Sequence, residues 1–151
     1  MEQTVTGKDL TQVAPRSPNE MVGGYVVLGR TLDKCRALLG GNIGPYHFDC
    51  ALDNMLFGWK RIIGNDFKKA VAEGRSDEEM AKWVDEHGKQ RTPEEKQKWV
   101  EDSKKATLYN DPQKRDFFIE EARKLGLDPA TTTLFQWLEA DDAASYPEAA
   151  A

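Results

Sequence analysis

The segment from Tyr46 to Asp53 combines a phenol, an imidazole, two carboxylates and a thiol. His47 is one of two histidines in the chain, and Cys50 is one of two cysteines. If a helix begins near Ala51, Cys50 lies at its N-terminus, where the helix dipole and free backbone N–H groups stabilise a thiolate. The segment therefore predicts a reactive thiol at Cys50, with His47 as its base or as an imidazolium partner.

A structural role is the alternative for the same residues. Free cysteine is among the most buried residue types, so Cys50 also fits a small core residue. Asp49 or Asp53 would then cap a helix. We favour this alternative, because the partners in a catalytic pair are usually distant in sequence, whereas His47 and Cys50 are close neighbours.

The glycine-rich loop at residues 40–45 suggests a third role, the binding of a small anion. Successive backbone N–H groups in such loops bind anions, but the spacing matches neither a P-loop nor a dinucleotide fingerprint. Positive charge for the anion would come from Arg16, Arg30 or Arg36. The other candidate ligand-binding residues are Tyr46, Asp49 and Asp53.

No metal site is predicted, and no motif identifies a cofactor. His47, Asp49 and Cys50 each carry an atom that can bind zinc, but a structural zinc site needs four ligands in recognisable paired spacings. The other histidine, His87, falls in the last turn of a predicted helix and is assigned a structural role.

Apolar spacing predicts the elements that position this segment. Apolar residues recur at helical spacing from Tyr25 to Leu39, which predicts an amphipathic helix that ends at Gly40-Gly41. Residues 46–50 alternate enough for a short strand, although no partner strand is evident, and residues 51–57 are predicted to be helical. The charged residues on the other faces of the first helix are Arg30, Asp33 and Lys34.

Capping signals predict the helices of the second half. Serine or threonine followed three residues later by glutamate forms a capping box, in which each side chain accepts a hydrogen bond from a free backbone N–H. The predicted helix starts are Asn65, Ser76, Thr92, Asp111 and the threonines at 131–133. The chain is therefore predicted to be all-α, a compact single domain of about six mostly short helices.

Pro15 and Pro18 exclude a helix near the start, so residues 1–20 are predicted to form an extended N-terminal arm without core residues. Residues 21–142 are predicted to form the single helical domain. Residues 143–151, rich in alanine and acidic residues, are predicted to be a mobile tail.

The composition limits the classes of function. The chain has 151 residues, 39% of them hydrophobic, and a formal net charge of −5. The negative charge disfavours nucleic acid, because attraction to the phosphate backbone supplies most non-specific affinity. No apolar run reaches the roughly 20 residues of a membrane helix, and two cysteines fit a reducing compartment, so we expect a cytoplasmic protein without membrane or nucleic-acid partners.

Several short stretches in a fixed order resemble a bacterial family known as domain of unknown function 5069. The resemblance covers nearly the whole chain and implies one cytoplasmic domain, but no activity, cofactor or catalytic residue. Members commonly have a proline after the cysteine, where this chain has Ala51, which affects the predicted helix start after Cys50. The stretches are Pro15-Arg16-Ser17-Pro18, Gly24-Tyr25, Leu32-Asp33-Lys34, residues 46–50, residues 125–129 and residues 135–138.

Two functions remain open at this point, and the sequence does not decide whether the protein is an enzyme. The first is a non-catalytic helical module that binds a protein or small-molecule partner, which we favour because no group of residues is specific enough for a catalytic claim. The second is a small enzyme or ligand-binding protein that uses the Tyr46–Asp53 segment. An enzyme should place His47 and Cys50 in a concave site, whereas an interaction module should expose a broad apolar patch.

Overall fold

Seven helices form the secondary structure of residues 7–146, the part of the chain that this computed structural model describes. This confirms the predicted all-α class, with one helix more than the predicted six. The helices are α1 (Leu28–Leu39), α2 (Asp53–Lys60), α3 (Gly64–Ala72), α4 (Asp77–Glu86), α5 (Pro93–Lys105), α6 (Arg115–Lys124) and α7 (Leu134–Ser145).

Helix α1 is central and contacts α2, α3 and α4. Its apolar side chains Leu32 and Cys35 are fully buried in the core. The sequence predicted polar faces on this helix, but the structure buries its charged residues as well, because each meets an opposite charge from another segment. The buried charged residues of α1 are Arg30, Asp33 and Lys34.

The rest of the core is aromatic and aliphatic. Phe57 of α2 and Phe67 of α3 pack with ring centroids 5.0 Å apart. Trp99 of α5 is buried, and its indole N–H donates to the backbone oxygen of Met55 at 3.1 Å. Helix α7 contributes Phe135, which is 1% exposed.

The predicted capping boxes are present at Ser76 for α4 and at Thr92 for α5, and a third occurs at Thr133 for α7. The helix predicted here is present as α3, but its predicted cap at Asn65 was wrong. This helix begins at Gly64, after Ile63 in an extended conformation, and has no side-chain cap, so Asn65 lies inside it.

The N-terminal arm is packed on the helices. Leu10 is completely buried, which corrects the expectation that the arm contributes no core residue. The backbone N–H of Leu10 donates to Asn42 at 2.9 Å, and the hydroxyl of Tyr146 donates to the Leu10 oxygen at 2.5 Å. The arm is therefore held between the loop after α1 and the end of α7.

Helix α7 runs to Ser145, three residues past the predicted end of the domain at residue 142. Residues 147–151 of the predicted tail and residues 1–6 of the predicted arm lie outside the described residues.

The Tyr46–Cys50 stretch is a loop and not the short strand that its alternation suggested. Within residues 7–146 the one bridge of β type joins Val22 and Tyr25, elsewhere in the chain. A strand needs a partner for its backbone groups, and no partner strand lies beside this loop.

Candidate functional site

The loop that carries Cys50 turns directly into α2. The backbone N–H of Asn54 donates to the Cys50 oxygen at 3.0 Å, which is the first helical hydrogen bond, although the helix proper begins at Asp53. The Asp53 carboxylate accepts the backbone N–H of Asp49 at 2.8 Å and, more weakly, that of Cys50 at 3.4 Å. Cys50 thus lies at the start of the turn that leads into α2, close to its predicted place.

A buried lysine lies beside the Cys50 thiol. Lys34 of α1 is 2% exposed, and its Nζ lies 3.2 Å from the Cys50 sulfur and 2.9 Å from an Asp53 oxygen. The hydroxyl of Thr31, one turn earlier on α1, donates to the same Asp53 oxygen at 2.6 Å. Asp53 is completely buried, so this ion pair is shielded from water on the side away from the thiol.

The lysine contact determines what the thiol can do. An ammonium group donates a stronger hydrogen bond to a thiolate than to a neutral thiol, because the acceptor is then charged. Nearby lysine is one of the environments that make a cysteine nucleophilic. Lys34 is therefore placed to donate a hydrogen bond to the Cys50 sulfur, while Asp53 keeps the ammonium in place.

Cys50 opens into a cavity of about 300 Å³ between the loop, α1 and α7. This volume is at the lower end of the range for ligand pockets. Cys50 is half-buried, while His47 is exposed at the rim. The lining includes Lys34, His47, Cys50, Leu52, Leu138 and Asp141.

The far wall of the cavity is helix α7, which an ion pair fastens to α1. Both terminal nitrogens of Arg30 donate to Asp142, at 2.6 and 3.1 Å, and the Tyr46 hydroxyl donates to the same carboxylate at 2.9 Å. Burial and the Asp142 charge raise the pKa of Tyr46, so its hydroxyl keeps its proton and remains a donor. Burial also raises the pKa of the neighbouring Asp141, with the charges of Asp142 and Glu121 adding to the effect.

The structure brings together five of the predicted site residues at this cavity, four in its lining and one beneath it. His47, Cys50, Tyr46 and Arg30 line it, and Asp53 supports it from below through Lys34. Within residues 7–146, no hydrogen bond joins His47 to Cys50. The terminal nitrogens of Arg30 are occupied by Asp142, so they are not free for an added anion.

Other predicted site residues lie elsewhere. Arg16 binds Asp33 through its side chain and backbone and binds Asp77 at 2.8 Å, and Arg36 binds the same Asp77 at 2.7 Å. Asp49 accepts a hydrogen bond from Asn54 at 2.9 Å. A methyl group at Gly64 would collide with the Asp49 carboxylate, which therefore lies against the first turn of α3, where negative charge is favourable.

Sequence reasoning missed Lys34 and Asp142, although they make the decisive contacts of the site. The one available signal for Lys34 is its spacing from Thr31, which puts both side chains on one face of α1. Nothing in the sequence indicates that Lys34 or Thr31 contacts Asp53, because those contacts depend on how α1 and α2 pack together. Asp142 fell at the edge of a tail that was predicted to be mobile.

The second cysteine has a different environment. Cys35 is completely buried in the core, and burial, with the nearby Asp53 charge, raises the pKa of its thiol to about 12. Trp99 is buried, so its ring does not form part of an exposed apolar surface. His87 stacks on Trp83 with centroids 4.1 Å apart, and its Nδ1 lies 2.7 Å from the Trp83 oxygen, consistent with a structural role.

The described residues contain neither a group of metal ligands nor a membrane-spanning helix. Among residues 7–146, no group of three or more histidine, cysteine, aspartate or glutamate side chains is arranged to hold a metal ion. Within the same range, no helix is long and apolar enough to cross a membrane.

The fold and this cavity define an all-α single-domain protein with a lysine-supported thiol facing a small pocket. Residues 12–144 match the model of the family described as "Domain of unknown function (DUF5069)", and the chain belongs to this family. The family resemblance noted from the sequence is thereby confirmed. No curated protein matches the chain.

Proposed function

We propose that the cavity binds a small electrophilic molecule and that the Cys50 thiolate reacts with it, as in a thiol-dependent enzyme or a covalent ligand-binding protein. One observation carries this proposal: the buried Lys34 ammonium lies 3.2 Å from a thiol that opens into a cavity. A cysteine with a purely structural role needs neither the cation nor access to solvent.

The surrounding residues have distinct roles in this proposal. Lys34 holds the thiolate, and Asp53 positions Lys34. His47, exposed at the rim, supplies or removes a proton on the bound molecule and is not the base of the thiol. Leu52 and Leu138 form an apolar part of the cavity wall, which favours a ligand with a nonpolar portion.

The test is the rate at which iodoacetamide alkylates Cys50 at neutral pH, followed by mass spectrometry of the peptides. We expect native Cys50 to react roughly tenfold faster than a peptide of residues 46–53, because the Lys34 ammonium lies 3.2 Å from the attacking sulfur. Lys34→Met should remove this difference, whereas the exposed Lys8→Met, which removes a cation elsewhere, should retain it. Cys35 is the internal control and should remain unlabelled until the protein unfolds.

The proposal is wrong if native Cys50 reacts no faster than the peptide. This comparison does not depend on Lys34→Met folding, since it uses the unchanged protein. Lys34→Arg is a second variant, which keeps a positive charge beside Asp53.

Native mass spectrometry of the wild-type protein and of the double variant His47→Ala, Cys50→Ser addresses the ligand itself. A bound mass that is present on the wild type and absent from the variant would support the proposal. Identical ligand-free spectra with a defined oligomer or a co-purified protein would instead favour the interaction module. The predicted cytoplasmic location and the predicted absence of membrane and nucleic-acid partners stay predictions.

A further inference from the structure

We propose that oxidation by a peroxide joins Cys50 to Lys34 through a sulfur–nitrogen bond, so that the site carries a reversible redox switch. The proposal rests on the proposed function to the extent that both require a reactive Cys50 thiolate. It adds a second reaction of the same thiol, with a partner inside the protein in place of a ligand.

The geometry favours bond formation between these two atoms. Lys34 Nζ and Cys50 Sγ are 3.2 Å apart, close to van der Waals contact, and both residues line the cavity through which a peroxide can enter. Lys34 projects from the middle of the buried helix α1 and is held by Asp53, so its amine has few other positions. Holding reactants in this way replaces a bimolecular step by an intramolecular one.

The chemistry balances with a single equivalent of peroxide. The thiolate sulfur attacks one peroxide oxygen, the O–O bond breaks, and sulfenic acid and hydroxide are formed, so that sulfur is oxidised and the peroxide is reduced. The hydroxide takes a proton from the Lys34 ammonium, which Asp53 holds at 2.9 Å, and leaves as water. The Lys34 nitrogen attacks the sulfur, the S–O bond breaks, and hydroxide leaves and takes a second nitrogen proton as water. The product is a sulfenamide, the class that sulfenic acids also form with backbone nitrogen.

This bond would switch the site off and protect it. The nucleophilic sulfur is consumed, and the positive charge beside it is lost, because the sulfenamide nitrogen is neutral. Sulfur in this form is shielded from further oxidation to the irreversible sulfinic and sulfonic acids. Two equivalents of a thiol reductant restore the thiol and the amine and are themselves oxidised to a disulfide.

The reaction can be followed on the unchanged protein. Wild-type protein is treated with hydrogen peroxide, unfolded in iodoacetamide, digested with trypsin without reductant and analysed by mass spectrometry. Trypsin does not cleave after a modified lysine, so the link yields peptide 31–36 joined to peptide 37–60. The expected mass is the sum of the two peptides less two hydrogen atoms, plus one carbamidomethyl group on Cys35. We expect this species to account for most of the Cys50 signal and to disappear after treatment with dithiothreitol.

A disulfide between the two cysteines would give a different product. In that case Lys34 is still cleaved, and peptide 35–36 is joined to peptide 37–60. This product would overturn the inference. Cys35→Ala should retain the expected link, whereas Lys34→Arg should lose it, because a guanidinium is a poor nucleophile.

The outcomes separate this inference from the proposed function. If Cys50 is alkylated rapidly and a 1,3-diketone traps its sulfenic acid, yet no link to Lys34 forms, the inference is wrong and the reactive thiol stands. If Cys50 is alkylated no faster than the reference peptide, the proposed function itself is wrong.

Discussion

Asp53 shows how a single buried carboxylate holds the candidate site together. It accepts hydrogen bonds from the Thr31 hydroxyl and the Asp49 backbone, and it neutralises Lys34. Both charged groups of the pair are almost fully buried, so the position of the ammonium beside Cys50 depends on this one partner.

Replacing Asp53 by asparagine tests this dependence. We expect Asp53→Asn to lower the free energy of unfolding by about 3–5 kcal/mol, because it leaves the buried Lys34 charge without compensation. The free energy is measured by urea denaturation. The control Asp102→Asn breaks an exposed pair with Lys98 and should cost at most about 0.5 kcal/mol. Equal effects of the two substitutions would contradict the role given to Asp53.

At the scale of the element, helix α7 combines two kinds of attachment. Its N-terminal half is anchored by the buried Phe135, whereas the half beyond Leu138 is held by polar contacts, chiefly those of Asp142 with Arg30 and Tyr46. The second half also forms the outer wall of the Cys50 cavity. We therefore expect its attachment to limit access to the thiol.

Asp142→Asn and Asp141→Asn each remove one negative charge from α7, but only Asp142 holds the helix to α1. Comparing the two variants therefore tests whether the ion pair of Asp142 attaches the helix. We expect Asp142→Asn to increase amide hydrogen exchange in residues 138–145 and to leave α4 unchanged, since it weakens a buried ion pair. Asp141→Asn should not increase exchange. Burial raises the pKa of Asp141, so its ionisation above the folded pKa disfavours the native state. Removing this charge should therefore raise the Tm slightly at neutral pH.

The gain from Asp141→Asn should disappear as the pH falls below the unfolded pKa of aspartate, because the wild-type carboxyl is then protonated in both states. Increased exchange in both variants would contradict the assignment of the attachment to Asp142.

At the scale of the whole molecule, ion pairs around α1 connect segments that are far apart in sequence. Arg16 of the arm binds Asp33 of α1 and Asp77 of α4, and Arg36 of α1 binds Asp77 as well. The hydrogen bond from Arg16 lowers the pKa of Asp77, and the contact with Arg36 adds to the effect despite partial burial.

This lowered pKa predicts an acid-sensitive contribution to stability. A carboxyl whose pKa is lower in the folded state stabilises the protein above its unfolded pKa, and the contribution is lost as the pH falls through the folded pKa. The stability difference between wild type and Asp77→Asn should therefore be constant above about pH 5 and shrink below about pH 4. Urea denaturation at a series of pH values measures this difference. Glu78→Gln, at the exposed neighbouring position, should show no comparable dependence.

Local signals in the sequence were sufficient for most of the secondary structure. The capping boxes at Ser76 and Thr92 work within a few residues, so their chemistry is complete in the sequence. The same holds for the end of α1 at Gly40. Asn65 failed as a cap because the chain had already entered α3 at Gly64, against which the Asp49 carboxylate lies.

The sequence by itself determined the all-α class, the helix starts that carry capping boxes and the family, and it identified the segment that contains Cys50. Only the tertiary structure decided what surrounds that thiol. Lys34 meets Asp53 and Arg30 meets Asp142 because other segments pack around α1. A spacing rule for one helix cannot say which distant segment will neutralise its charges. Burying a charge is costly without a partner, so the partners are chosen by the packing of the whole chain.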